Sequence, residues 1–152
     1  MKKEQEIIVT VGLPGSGKTT WARQQTNYVV LDSDDIREEL CGDAATQCNP
    51  KAIFDVLYER AVSAINGGHS VIICATNVKR KDRLRLVKFF RNATPGVYLC
   101  ALMFATPYDE CCRRNGMRDR VVPQEAMHRM KKQMTYPAWF EGWDKINIIK
   151  ET

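Results

Sequence analysis

Apolar residues gather in short runs along this chain, and stretches with helical spacing separate the runs. The first run, Ile7, Ile8, Val9 and Val11, stops at Gly12 and reads as a buried strand. A helix is predicted over 18–25. Val29, Val30 and Leu31 form a second short strand, and Asp32-Ser33-Asp34-Asp35 follows as a capping cluster for a helix carrying Ile36 and Leu40. Residues 42–50 are polar and predict a loop. Over 51–66, Ile53, Val56, Leu57, Ala61, Val62, Ala64 and Ile65 recur at helical spacing until Gly67-Gly68 stops the helix. Residues 70–74 predict a third strand. An amphipathic helix over 79–92 is expected to turn Leu84, Val87, Phe89 and Phe90 inward. A turn at Pro95-Gly96 precedes a fourth strand over 97–104. Then come a helix over 107–114, a basic loop over 115–122, a helix over 123–134 opened by Pro123, and a last strand over 145–149.

Strands alternate with helices from end to end. That order predicts an α/β fold, with parallel strands covered by helices on both faces through right-handed crossovers. The 152 residues suit a single domain, 1–152. Ligands of such open sheets bind beyond the carboxyl ends of the strands, where most of the polar motifs below fall.

Composition changes this picture little. Hydrophobic residues make up 44%, enough for an ordinary core. No apolar run approaches the roughly 20 residues that span a bilayer, and the charged start runs straight into a strand. A cytoplasmic protein with no membrane contact is expected. The net charge of +5 fits a protein that handles phosphates or nucleic acid. Basic residues crowd 79–85 and 113–120, and the plain reading of each cluster is a solvated face. The six cysteines contain no C-x-x-C pair, and neither His69 nor His128 has metal-ligand spacing to a cysteine. Reduced thiols, surface histidines and no structural metal are expected.

Chemistry enters at 12–19. Gly12-Leu13-Pro14-Gly15-Ser16-Gly17-Lys18-Thr19 matches G-x-x-x-x-G-K-[ST], the Walker A phosphate loop. Its glycines free the backbone to aim successive N–H groups at phosphate oxygens, and the following helix adds its positive end. Gly12, Pro14, Gly15, Ser16, Gly17, Lys18, Thr19 and Thr20 are therefore the candidate ATP-binding residues. Lys18 is expected to reach the β and γ phosphates, and Thr19 to place its hydroxyl on Mg²⁺. The chain has no guanine-reading N-K-x-D motif and is short for a motor ATPase core, so a compact kinase is favoured.

A kinase must also activate a hydroxyl and stabilise a migrating phosphoryl group. Asp34 lies just past the second strand and is the candidate base. Arg37, one turn on, can hold an anionic group of the acceptor. Thr76 and Asn77 follow the third strand and are candidate substrate ligands. Arg113, Arg114, Arg118 and Arg120 flank the basic loop, which is expected to act as a mobile lid at about 113–122, with at least one arginine catalytic.

Together these motifs resemble the kinase domain of polynucleotide 5′-kinases of the phage-type and eukaryotic end-repair enzymes. GLPGSGKTTWA is similar to that family's phosphate loop, LDSDDIRE to its acceptor segment, and ICATNVKRKDR to its D-x-T-N segment. CCRRNGMRDRVVP is similar to its lid, and YPAWFEGWDKINII to its P-x-x-x-E-G-aromatic tail. The resemblance covers nearly the whole chain. It implies an adenylate-kinase-like P-loop fold, with five parallel strands flanked by helices, and transfer of the ATP γ-phosphoryl group to a 5′-hydroxyl of DNA or RNA. It puts Asp34 at the general-base position and Arg37 at the grip on the phosphate 3′ of the acceptor nucleotide. Arg118 is most similar to the transition-state arginine, and Arg114 is next. The chain departs from the family in two places. Cys74 stands where the family usually has aspartate, and Asp32-Ser33-Asp34 stands where it often has Asn-Arg-Asp. The alternatives are a kinase for a small hydroxyl-bearing metabolite or nucleotide, and a non-catalytic ATP-binding module.

Overall fold

The structure, a computed structural model, describes residues 4–42 and 49–150. Most of the loop expected over 42–50, including Cys48, lies outside the described residues. Five strands, β1 (Glu6–Val11), β2 (Tyr28–Asp32), β3 (Ser70–Cys74), β4 (Tyr98–Phe104) and β5 (Lys145–Ile149), form one sheet in the order β2-β3-β1-β4-β5. Every pairing is parallel. The helices are α1 (Lys18–Arg23), α2 (Ser33–Cys41), α3 (Pro50–Asn66), α4 (Arg80–Ala93), α5 (Tyr108–Asn115) and α6 (Gln124–Gln133), and a single 3-10 turn covers Trp139–Glu141. This is the α/β parallel sheet that the alternating pattern predicts. No helix among the described residues is long and apolar enough to cross a membrane.

The period-two alternation of the strands divides the core. Ile7, Val9, Val71, Ile73, Leu99 and Ala101 face α3 and α4 and pack with Ile53, Leu57, Leu86 and Phe90. Ile8, Ile72, Cys74, Cys100 and Leu102 point the other way and pack with Trp21 and Ala22 of α1. Both faces are buried, which explains why the strands read as continuous apolar runs. A smaller cluster of Leu13, Val78, Cys111 and Met127 seats α5 and α6 beside the strand ends.

The inward face of α4 differs from the expectation. The buried stripe is Arg83, Leu86, Val87 and Phe90, and Leu84 and Phe89 are exposed. The spacing 83, 86, 87, 90 is one clean helical face, with an arginine in an apolar position. Arg83 is fully buried because it has a dedicated partner. Its Nε and Nη2 donate to Glu141 at 2.9 and 3.0 Å, and its remaining donors reach the carbonyls of Asn77, Val78 and Tyr136 and the Thr135 hydroxyl. The reading of 79–85 as a wholly solvated basic face is corrected on that ground. Burial pushes the Glu141 carboxyl up, but hydrogen bonds from Arg83, Trp143 and Arg80 outweigh it and hold the group at about 2.

The cysteine expectation also needs one correction. Cys74, Cys100, Cys111 and Cys112 are free thiols, but Cys41 is disulfide-bonded. Cys41 ends α2 at a partly exposed position, outside the packed core where the free thiols Cys74, Cys100 and Cys111 sit.

Candidate active site

The central strand β1 lies between β3 and β4, where the strand order reverses, so its carboxyl end opens onto a crevice. The turn at 12–17 occupies that end and leads into α1. Gly15 and Gly17 have φ of 83° and 100°, angles that side-chain-bearing residues rarely adopt. Gly15 is constrained twice over, because a Cβ there would lie 2.5 Å from the Cys111 carbonyl of α5. Gly12 has a different duty. A Cβ on it would meet the Ser16 hydroxyl at 2.7 Å and Phe104 at 3.2 Å, so it serves close packing under the loop. Its N–H donates to the Thr76 carbonyl at 2.9 Å and ties the loop to the exit of β3.

A cleft of about 990 Å³ opens over this turn. Pro14, Gly15, Ser16, Gly17, Lys18, Thr19, Thr20, Asp34, Arg37, Thr76, Arg114 and Arg118 of the expected site residues all line it. Asp32, Cys74 and Arg120 line it too. Two expected residues do not. Gly12 sits beneath the loop, and Asn77 is buried with φ 45°, its amide donating to the Thr10 carbonyl at 3.0 Å. Asn77 therefore braces β1 against the exit of β3.

Lys18 is buried and donates to the Leu13 carbonyl at 2.7 Å and to the Ser16 hydroxyl at 3.3 Å. Burial lowers its amine from 10.5 to about 8, partly offset by the Asp34 carboxylate. Asp34 and Arg118 both act on Lys18 through charge, in opposite directions, so all three share one electrostatic site. Thr19 donates its hydroxyl to Asp32 Oδ2 at 3.1 Å. Asp32 is the last residue of β2 and caps α2, accepting the Asp34 N–H on Oδ1 at 2.8 Å. Burial raises the Asp32 carboxyl above the ordinary aspartate value. Burial also pushes the Cys74 thiol up to about 12, so it remains a neutral S–H at physiological pH.

Asp34 is ringed by cations. Arg37 Nη1 lies 2.9 Å from Oδ1, Arg120 Nη1 3.1 Å from Oδ1, and Arg118 Nη2 3.5 Å from Oδ2. The segment after α5 thus folds back over the cleft and meets the first turn of α2. Arg114 spans α5 and the loop, with Nε on Glu110 at 2.9 Å and Nη1 3.5 Å from the Gly15 carbonyl. Arg113 is exposed and paired with Glu110, away from the cleft.

A family profile described as an AAA domain matches residues 7–137. The chain belongs to that AAA-domain family. The AAA-domain chain is similar in fold to a chain of the Pnkp1/Rnl/Hen1 RNA repair complex. The identity there is 24% and the TM-score 0.71, over 88% of this chain and 45% of that one. It is also similar to a sugar kinase from Janibacter sp. HTCC2649, at 18% identity and a TM-score of 0.70, over 96% of this chain and 85% of that one. APS kinase CysC of Mycobacterium tuberculosis, in complex with AMPPNP and APS, is similar at 20% identity and a TM-score of 0.65, over 98% and 91% of the two chains. The AAA-domain chain spans under half the length of the RNA-repair chains it matches, 45% and 42%. These likenesses show that the fold is one shared with kinases.

Two residues of this AAA-domain site escaped the sequence reading of individual roles. Arg120 ranked below Arg118 and Arg114 in the family resemblance, yet it makes a shorter contact to Asp34 than Arg118 does. Asp32 read as a helix cap, which it is, but its second oxygen meets Thr19. The available signal was the i, i+2 spacing of Asp32 and Asp34 around a helix start.

Proposed function

We propose that this protein transfers the γ-phosphoryl group of ATP to a hydroxyl, and that the acceptor is the 5′-hydroxyl end of a polynucleotide. The observation that carries the reading is Asp34, a carboxylate in the cleft of the phosphate loop, gripped by three arginines. The cleft lining sets Lys18, Arg23, Arg37, Arg114, Arg118 and Arg120 against Asp32, Asp34 and Asp35, a positive balance that suits a polyanion.

Transfer of this kind depends on positioning and on stabilising charge spread over the moving group. The loop at 12–17 offers backbone N–H groups to the phosphates. Lys18 exchanges its bond to the Leu13 carbonyl for β and γ phosphate oxygens. Thr19 presents a hydroxyl for the divalent cation, and the oxygen donors around it suit Mg²⁺. When bound, Mg²⁺ neutralises charge across the β and γ phosphates. Asp34 accepts the proton of the acceptor hydroxyl as its oxygen bonds to the γ phosphorus and ADP leaves. To do so it releases an arginine partner. Arg118, with Arg114 beside the loop, then faces the migrating phosphoryl group. Arg37 faces the acceptor's own phosphate.

A second reading, a kinase for a small hydroxyl-bearing metabolite or nucleotide, is supported by the fold likeness to a sugar kinase and an APS kinase. The test is labelling of single- and double-stranded DNA and RNA oligonucleotides with γ-labelled ATP and Mg²⁺. Label on a 5′-hydroxyl end that falls about 10²- to 10⁴-fold in Asp34→Asn is the expected result. If no oligonucleotide is labelled but small hydroxyl compounds stimulate ADP release, the second reading replaces the first. ATP binding with no transfer to either would leave a non-catalytic module.

A further inference from the structure

We infer that Asp32 supplies the carboxylate on the divalent-cation side of this cleft, a position that Cys74 leaves without one. The inference rests on the Mg²⁺–ATP reading above.

The ladder between β2 and β3 sets Asp32 directly opposite Cys74. Paired residues of a parallel sheet project to the same face, and neighbouring strands lie about 5 Å apart. A carboxylate on residue 32 therefore rises beside the one that an aspartate at 74 would offer. Both residues line the cleft. Asp32 is aimed at the place where the cation belongs. Its Oδ2 accepts from the Thr19 hydroxyl at 3.1 Å, and its Oδ1 is tied to the Asp34 N–H at 2.8 Å. The first contact points one oxygen at the phosphate loop, and the second fixes the rotamer.

The chemistry favours the same residue. Mg²⁺ is a hard cation that takes oxygen donors, keeps several waters, and binds through one or two carboxylates together with substrate phosphates. A cysteine sulfur is a soft donor suited to other metals. One hydroxyl, one adjacent carboxylate and the phosphates of ATP make a suitable set, and the thiol of Cys74 adds nothing to it. The consequence is a rigid coupling. Asp32 and Asp34 leave the same strand end two residues apart, so one corner of backbone positions both the cation and the base.

Mn²⁺ is the probe, followed by electron paramagnetic resonance on the full chain with a non-hydrolysable ATP analogue. Asp32→Asn keeps an amide oxygen that can cap α2, so the fold is retained. It should weaken Mn²⁺ binding in the ternary complex about tenfold or more. Binding of the analogue without metal should change by less than about twofold, because the expected Asp32 contact is to the cation and not to the nucleotide. Adding Cys74→Asp to Asp32→Asn should restore most of the Mn²⁺ affinity, and Cys74→Ala alone should leave it unchanged. The proposal is overturned if Asp32→Asn binds Mn²⁺ as tightly as the parent, if Cys74→Ala weakens Mn²⁺ as much as Asp32→Asn does, or if Asp32→Asn loses metal-free binding to the same degree. A parent protein that binds no analogue with or without Mn²⁺ would overturn the Mg²⁺–ATP reading itself, and this proposal with it.

Discussion

Arginine is used in two opposite ways in this molecule. At Arg83, one guanidinium is fully buried and its donors are satisfied by Glu141, the carbonyls of Asn77, Val78 and Tyr136, and the Thr135 hydroxyl. At Asp34, three guanidinium groups share one half-exposed carboxylate. The first station is closed: Arg83 and Glu141 are both fully buried against each other, and Arg80 reaches the same carboxylate from the surface. It clamps the chain end carrying Glu141 to the turn after β3. The second is open: its three arginines and Asp34 border the cleft and stay partly exposed. Identical side chains therefore serve the core in one place and border the cleft in the other, and burial tells them apart.

The largest expected effect attacks the closed station. Glu141→Gln leaves the Arg83 charge buried without its counter-ion and should cost about 3–5 kcal/mol in denaturant unfolding. The same variant has a pH signature. A carboxyl held at about 2 when folded, against 4.5 unfolded, adds stability that is full above pH 4.5 and is lost as pH falls toward 2. Acid unfolding curves of Glu141→Gln should lack that component. If Glu141→Gln unfolds like the parent at neutral pH, the contrast between the stations fails.

Next in size are substitutions in the open station. Arg118→Gln and Arg120→Gln should each lower phosphoryl transfer about 10²-fold, the scale for loss of one transition-state donor. Their unfolding free energies should stay within about 1 kcal/mol of the parent, as for exposed ion pairs. A large loss of stability in either would make the lid a structural clamp like Arg83.

The smallest effect comes from Lys18, which lies between the two cases, buried but waiting for a ligand. Its folded-state amine sits near 8, below the unfolded 10.5, so the unfolded chain binds more protons between those values and stability rises with pH across that window. Lys18→Met should abolish the rise and stabilise the ligand-free protein by about 2 kcal/mol, while weakening ATP binding. Unchanged ATP affinity in a calorimetric titration would overturn the role given to the loop.

Much of this was legible before any coordinates. Runs such as Ile7 to Val11 and the chain order of strands and helices depend on local periodicity, and the glycine spacing at 12–17 depends on backbone angles that only neighbouring residues control. Asp34 and Arg37 sit one turn apart, so their shared face followed from helix geometry alone. Long-range partners were not legible. Arg83 counted as surface charge because Glu141 is 58 positions away, and the α4 stripe was displaced onto Leu84 and Phe89 as a result. The tie of the Asn77 amide to Thr10, 67 positions back, was equally hidden.

By itself, then, the sequence determined the elements, their order and the phosphate loop, because those follow from contacts between near neighbours along the chain. Only the tertiary structure decided which charges are buried in the core and which border the cleft. That distinction depends on partners brought together by the sheet: Glu141 on Arg83, Asp32 on Thr19, and the lid arginines on Asp34.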